Sequence, residues 1–324
     1  MALTLTEIQA VTDDVWLPGS QDNWSKGNVL MFKLLQKVEK IGSAEKVRAV
    51  LEHAKANGGA MGATTVFDTT KKAIINAARF PWAYFYSNVT IDIDDEVQVS
   101  GGDADVDLVL TKLNNAQKSI KAYMGDSFWT LYATSLASYG NETKPFYGLA
   151  DLLNQSDTSP AFGSINKADL GTSEQGTNIW LAYSDTDARV MNFATMQVLR
   201  RGASVGNDAE DKPDLYLTTP TLKDAFENSL QAAQRHTDPE LAKAGFDHIL
   251  FGTRPVVEDD RCTASMVVGL NMAYLYLKAH KDFHFTRPQW KQPTNMHVKS
   301  AQIEWVGAFV TSQRRANGNL TNVS

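Results

Sequence analysis

A chain of 324 residues exceeds what one compact core usually organises, so two domains, or one domain with long extensions, are expected. Hydrophobic residues at 43% exclude wholesale disorder, and a net charge of −6 excludes a dedicated nucleic-acid binder, whose surface would be basic. The single cysteine, Cys262, excludes an internal disulfide and a zinc site built on thiolates, and it suits folding in a reducing compartment.

Met1 to Glu7 has neither the basic region nor the apolar run of a secretory signal, and no apolar stretch approaches a membrane span. Val15 to Asn28 is rich in turn formers yet holds Trp16 and Trp24, which need a surface to bury against, on this chain or a neighbour. Asn28 to Ile41 reads as an amphipathic helix. Residues 40–102 then read as a long β-hairpin. Lys46 to His53 is one strand, Asn57 to Gly62 a flexible tip, and Phe80-Pro81-Trp82-Ala83-Tyr84-Phe85-Tyr86 a dense aromatic run. Val89 to Val99 alternates, with Val89, Ile91, Ile93, Val97 and Val99 sharing one face. An isolated two-stranded hairpin is marginal in water, so one this aromatic is expected to lie on something else.

Gly101-Gly102 ends that strand, and the spacing predicts one helix from Asp103 to about Ser138. Val106, Val109, Leu113, Ala116, Ile120, Tyr123, Ser127 and Leu131 recur every three or four residues. Asp103, Asp105 and Asp107 fall in its first turns, where the helix dipole favours negative charge. A continuous helix there would be roughly 50 Å long. The middle alternates α and β. Arg189 to Arg201 reads as a helix with Val190, Phe193, Ala194, Val198 and Leu199 inward and Gly202 as its stop. Pro213 to Pro220 is a short strand leading into a helix from Thr221 to Arg235. Ile249 to Val257 and Ala264 to Leu277 are strand candidates. Gln302 to Thr311 alternates, and Asn317-Gly318 signals a hairpin turn.

Several motifs touch chemistry. Gly202-Ala203-Ser204-Val205-Gly206 matches the nucleophile elbow of serine hydrolases, with His248 or His280 as a possible base. The elbow needs a strand before it and a helix after it, whereas here a helix precedes and an acidic loop follows. Asp103-Ala104-Asp105-Val106-Asp107 opens like a calcium loop but lacks its Gly and Glu, having Leu108 and Asn114 instead. His280 and His284 would share one face of a helix, without a third metal ligand at a known spacing. Glu258-Asp259-Asp260 reads as an exposed acidic turn. No catalytic, cofactor or metal site is expected.

The segment from Gln302 to Leu320, with Trp305 and Arg314-Arg315, resembles the closing strands of major capsid proteins of tailed bacteriophages. Earlier segments resemble that family in the same order. They are the arm around Thr12-Asp13-Asp14, the aromatic run before an alternating strand, the helix from Asp103, Tyr147-Gly148-Leu149, Pro213 to Pro220, Arg254-Pro255-Val256-Val257 and Val268-Gly269-Leu270-Asn271. The resemblance implies an α+β subunit. Its parts would be an N-terminal arm (1–39), an extended loop (40–102), a peripheral domain with a long spine helix (103–145), an axial domain (146–285) and a return to the peripheral domain (286–324). It implies hexamers and pentamers closing an icosahedral shell around double-stranded DNA, without sequence-specific binding and without a membrane. A portal protein, a separate scaffolding protein and a decoration protein would be partners, in the virion and, during assembly, in the host cytoplasm. Encapsulin nanocompartments share the fold and are the alternative. Intersubunit contacts are expected at Trp16, Trp24, Phe67, Lys71, Lys72, Phe80, Trp82, Arg314 and Arg315. Some members crosslink a loop lysine, but solvation of the loop accounts for Lys71 and Lys72. For Arg314 and Arg315 a salt bridge to a neighbouring subunit is expected.

Overall fold

The computed structural model describes residues 28–42, 44–92, 103–140, 143–156, 161–167, 169–172, 178–206, 208, 210–230, 248–286, 290–293 and 298–324. The first described element is helix α1, Val29–Gln36, started by Asn28, whose side-chain oxygen accepts from the Met31 amide at 2.9 Å. It ends before Ile41. Glu39–Ile41 instead forms strand β1, drawn out by parallel pairing with residues 278–280 and by the Lys278–Glu39 ion pair. Strands β2 (Val47–Glu52), β3 (Ile75–Phe80) and β4 (Ala83–Asp92) follow.

β2 and β3 pair with each other, but β4 does not join them. It pairs antiparallel with strand β11 (Val298–Thr311) in a four-stranded sheet of order β1-β10-β11-β4, where β10 is Leu275–His284. The extended hairpin is therefore 47–80, and the alternation starting at Val89 belongs to another sheet. Val89 and Ile91 are buried, as the alternation requires.

Helix α2, Asp103–Trp129, packs on β4. At about 1.5 Å per residue it is roughly 40 Å long. It stops short of Ser138, because Leu131 is extended (φ −60°, ψ 140°) and helix α3, Tyr132–Tyr139, starts anew. The Asp151 carboxylate accepts from the Tyr132 amide at 3.1 and 3.2 Å and so caps that second start. The buried stripe of α2 is Ala116, Ile120, Met124, Ser127 and Phe128, while Tyr123 is 53% exposed, outside the stripe expected for it. Phe128 meets Phe146 and Phe309 at ring centroids of 4.7 and 5.0 Å, and Phe146 meets Trp305 at 5.4 Å. Each such buried ring contributes about 2–3 kcal/mol from apolar burial alone.

The second sheet has the order β5-β12-β9-β6-β8-β7. Its strands are Tyr183–Asp185, Gly318–Leu320, Val267–Leu270, Leu215–Thr218, Arg254–Glu258 and His248–Phe251 in that order. Helix α4, Leu149–Leu153, precedes it in the chain. Helix α5, Phe193–Gly202, starts later than expected, at the Asn192 cap. It buries Thr195, Met196 and Leu199, while Val190 and Phe193, expected inward, are exposed. Gly202 is not a conformational stop: a Cβ there would lie 2.3 Å from the Tyr183 ring, so its role is close packing. Helix α6, Pro220–Ser229, has Pro220 in its first turn.

Three expected elements divide or change. Ile249 to Val257 is two strands, reversed at Gly252 with φ +67°. Ala264 to Leu277 is β9 in one sheet and β10 in the other, joined by a turn at 271–274, because one strand cannot serve both sheets. Asn317-Gly318 makes no hairpin turn. Asn317 is extended and buried, its Oδ1 accepts from the Asn271 amide at 3.0 Å, and the reversal is made by a 3-10 turn over Arg314–Ala316.

Candidate assembly surface

The hairpin alternates as its sequence does. Val47/Phe80, Ala49/Ala78 and Leu51/Asn76 face inward, and Arg48/Arg79, Val50/Ala77 and Glu52/Ile75 face outward. Phe80 is 1% exposed and sits edge-on to Phe162 at 5.3 Å. Trp82 is buried, and its Nε1 donates to the Ala44 carbonyl at 2.7 Å. Both rings belong to this subunit's own core, which corrects their expected place among intersubunit contacts. The reason is that β4 leaves the hairpin at Pro81-Trp82 to join the four-stranded sheet.

Beyond residue 54 the loop is exposed until residue 74. Met61, Val66 and Phe67 are 73%, 92% and 69% exposed, and Lys71 and Lys72 are exposed beside them. Local bonds shape the loop: the Gly62 amide donates to Thr65 Oγ1 at 2.7 Å, and the Thr70 amide to Asp68 Oδ1 at 2.9 Å. Val50 and Ile75 continue the exposed apolar surface down the hairpin stem. Single exposed apolar residues are ordinary; a run of them on one projecting element marks an interaction surface.

The four-stranded sheet also presents aromatic surface. Tyr84 and Tyr86 are exposed on β4, opposite Val306 and Glu304 of β11. With Phe85 and Gln302 they line an open groove of about 360 Å³. Lys144 Nζ lies 5.0 Å from the Tyr84 ring centre. The sequence reading placed Tyr84 and Tyr86 in an aromatic run but did not separate them from Phe85, Phe80 and Trp82. Alternation along β4 is the signal that separates them.

Arg314 is 2% exposed and works inside the subunit. Its guanidinium donates to the carbonyls of Leu152 (2.8 Å), Asp151 (3.1 Å), Asn154 (2.6 Å) and Trp180 (3.2 Å). It also lies 5.1 Å from the Phe162 ring centre. Three of those carbonyls close the C-terminal end of α4, where a helix leaves acceptors unpaired. At the other end of α4, Asp151 accepts from Gly148 as well as Tyr132. Burial pushes the Asp151 carboxyl up to about 6, against the pull of those amides and of Arg314. The expected intersubunit salt bridge is thus corrected for Arg314: its donors are taken by its own chain. Arg315 is half-buried, and burial lowers its affinity for its proton. Trp16 and Trp24 lie outside the described residues.

The chemical motifs resolve into packing. Ser204 Oγ donates to the Gly206 carbonyl at 2.7 Å. His280 lies on β10 with its ring against Trp82 and Phe283, and the side chain of His248 lies outside what is described. His284 Nδ1 accepts from Trp305 Nε1 at 3.2 Å, and both histidines are on a strand, so no helical face brings them together. Asp259 is not an exposed turn residue: it is 2% exposed and accepts from Trp129 Nε1 at 3.1 Å and the Arg261 amide at 3.0 Å. Burial raises its carboxyl above the usual range. Glu258 pairs with the buried Lys223 at 3.2 Å. Among the described residues, no cluster of three or more metal-ligating side chains occurs, and no helix is long and apolar enough to cross a membrane.

No protein-family model matches the chain, and no curated protein matches it. Solved structures do. The capsid protein of cyanophage A-1(L) superposes with a TM-score of 0.68 at 12% identity, over 97% of this chain and 98% of that one. The encapsulin of Synechococcus elongatus gives 0.60 at 10% identity, over 100% and 97%. The capsid of Myoviridae phage XM1 gives 0.54 at 11% identity, over 98% of each. The chain has the fold of tailed-phage major capsid proteins and encapsulins, from end to end.

Proposed function

We propose that the chain is a major capsid protein that self-assembles into hexamers and pentamers, which close an icosahedral shell around double-stranded DNA. The observation that supports this most is the pairing of a whole-chain fold match with a loop whose apolar residues Met61, Val66 and Phe67 are exposed. The net charge of −6 fits a wall that encloses DNA without holding it. The chain's role is structural rather than catalytic. Its assembly partners are further copies of itself, with a portal, a separate scaffold and a decoration protein as additional partners. It resides in the virion and assembles in the host cytoplasm. Phe67, Lys71, Lys72 and Arg315, with Trp16 and Trp24 of the arm, remain the proposed intersubunit contacts.

The encapsulin match favours a second reading, a shell around protein cargo. Purified protein examined by electron microscopy tests both. Closed particles of megadalton mass are expected, and a stable monomer or dimer at high concentration overturns both readings. Nuclease-protected double-stranded DNA in mature particles selects the capsid, and a retained protein cargo selects the nanocompartment.

A further inference from the structure

The sequence holds two Asn-Gly pairs, Asn57-Gly58 and Asn317-Gly318. Glycine obstructs least the attack of its own amide nitrogen on the preceding side chain, and its backbone reaches the conformation this needs. The attack closes a five-membered ring, and an intramolecular reaction held in such geometry is fast. The structure treats the two pairs in opposite ways.

Asn317 is fully buried. Its Oδ1 accepts from the Asn271 amide at 3.0 Å, and its Nδ2 donates to the Gln313 carbonyl at 3.2 Å. Gly318 is held in β12 between Tyr183 and Gly269, and a Cβ there would lie 2.8 Å from the Tyr183 carbonyl oxygen. Neither partner is free to turn toward the other. Asn57, by contrast, stands at a bend in the exposed loop, outside any helix or strand. Gly58 is exposed, and beyond its chain neighbours nothing lies within 4 Å of where a Cβ would sit. Among the described residues no hydrogen bond holds its amide. One exposed bond restrains Asn57: its Nδ2 donates to the Thr70 carbonyl at 2.9 Å, which ties together the two limbs of the loop.

We propose that Asn57 is a site of spontaneous deamidation in the unassembled subunit, and that its product releases the loop tip. A base from solvent draws off the Gly58 amide proton, and the nitrogen bonds to Asn57 Cγ. The Cγ–Nδ2 bond breaks, and the leaving nitrogen recovers a proton and departs as ammonia, closing a succinimide. Water then opens either ring carbonyl, giving aspartate or isoaspartate. One water is consumed and one ammonia released, with no oxidant or reductant. The product carboxylate has no donor for the Thr70 carbonyl and sets its own oxygens against it. It also halves the positive charge of the loop, where Lys55, Lys71 and Lys72 stand against Asp68. Isoaspartate further routes the main chain through the side chain, adding a methylene at the bend.

Peptide mapping of the full chain, aged in solution and compared with an unaged sample, tests the site. Trypsin frees Asn57 on residues 56–71 and Asn317 on residues 316–324. The first peptide is expected to gain about 1 Da, the exchange of NH2 for OH, at least tenfold faster than the second. The rate should rise with pH, and in denaturant the two peptides should convert alike. Gly58→Ala, which the open space there accepts, is expected to slow conversion at least tenfold with unchanged circular dichroism. A 56–71 peptide that keeps its mass in the folded chain as long as 316–324 does overturns the site. Asn57→Asp is expected to speed tryptic cleavage of the native subunit after Lys71 and Lys72 at least threefold, and an unchanged rate overturns the release. The bearing on assembly rests on the shell reading: aged wild type is expected to give fewer particles than equally aged Gly58→Ala, and equal yields overturn that link. A wild type that never forms particles ends the shell reading, while the peptide masses still decide the site.

Discussion

The hairpin loop and the α4 joint use the same kinds of residue to opposite ends. At the joint, a charged side chain from the closing segment is buried, and it donates to four carbonyls of its own chain. On the loop, Met61, Val66 and Phe67 are exposed. The first arrangement fixes one subunit's shape and owes nothing to neighbours. The second adds nothing to the isolated subunit, so any stability it supplies must come from association. On the proposed reading, the first region governs whether the subunit folds, and the second whether it assembles.

Four experiments break or sharpen that division. Removing residues 57–72 is expected to abolish particles, seen by electron microscopy, while the remaining subunit keeps the wild-type circular dichroism. Particles of normal yield would move assembly away from the loop. Arg314→Met acts the other way. It leaves four carbonyls at a buried joint without their donor, at an expected cost of about 4 kcal/mol in denaturant unfolding of unassembled subunit. Arg314→Lys should recover less than half of that, because an ammonium cannot reproduce the planar fork. Gly202→Ala forces a methyl group into the Tyr183 ring, which must shift, and should cost about 2 kcal/mol in the same measurement.

The smallest effect is a pH dependence. The Asp151 carboxyl holds its proton more tightly folded, at about 6, than unfolded, near 3.8. The folded state therefore binds more protons between those values, and this group's contribution to stability grows as pH falls. From pH 7 to 5 the wild type should gain about 1 kcal/mol relative to Asp151→Asn, measured by unfolding midpoints at both pH values. An equal response in both proteins would assign the pH dependence to another group, with the buried Asp259 first.

Much of the architecture was legible because it rests on period and order. The strand from Val47, the Asp103 helix, the Leu215 strand with Pro220 behind it, and the long closing strand all carry their pattern locally. Errors came where two elements share one continuous pattern. Val89 alternates equally well in a hairpin or in a sheet with β11, and only pairing over two hundred residues away decides. The helix reads on past Trp129 because the carboxylate that caps the new start at Tyr132, Asp151, is remote in sequence. Of the candidate contacts, Phe67, Lys71 and Lys72 lie exposed where a projecting loop requires. Phe80, Trp82 and Arg314 looked the same in composition but are buried.

The order of the six-stranded sheet has a consequence in time. β12 follows every other described element in the chain, yet it is an inner strand, inserted between β5 and β9. The chain continues along it as far as Val323 and Ser324, whose amides donate to the Ser265 and Arg189 carbonyls. During synthesis β9, β6, β8 and β7 can pair, but β5 has no strand to join until these residues emerge. A nascent chain thus closes this sheet only after its hairpin has long been exposed, so on the proposed shell reading translation itself orders the steps: sheet first, neighbours second.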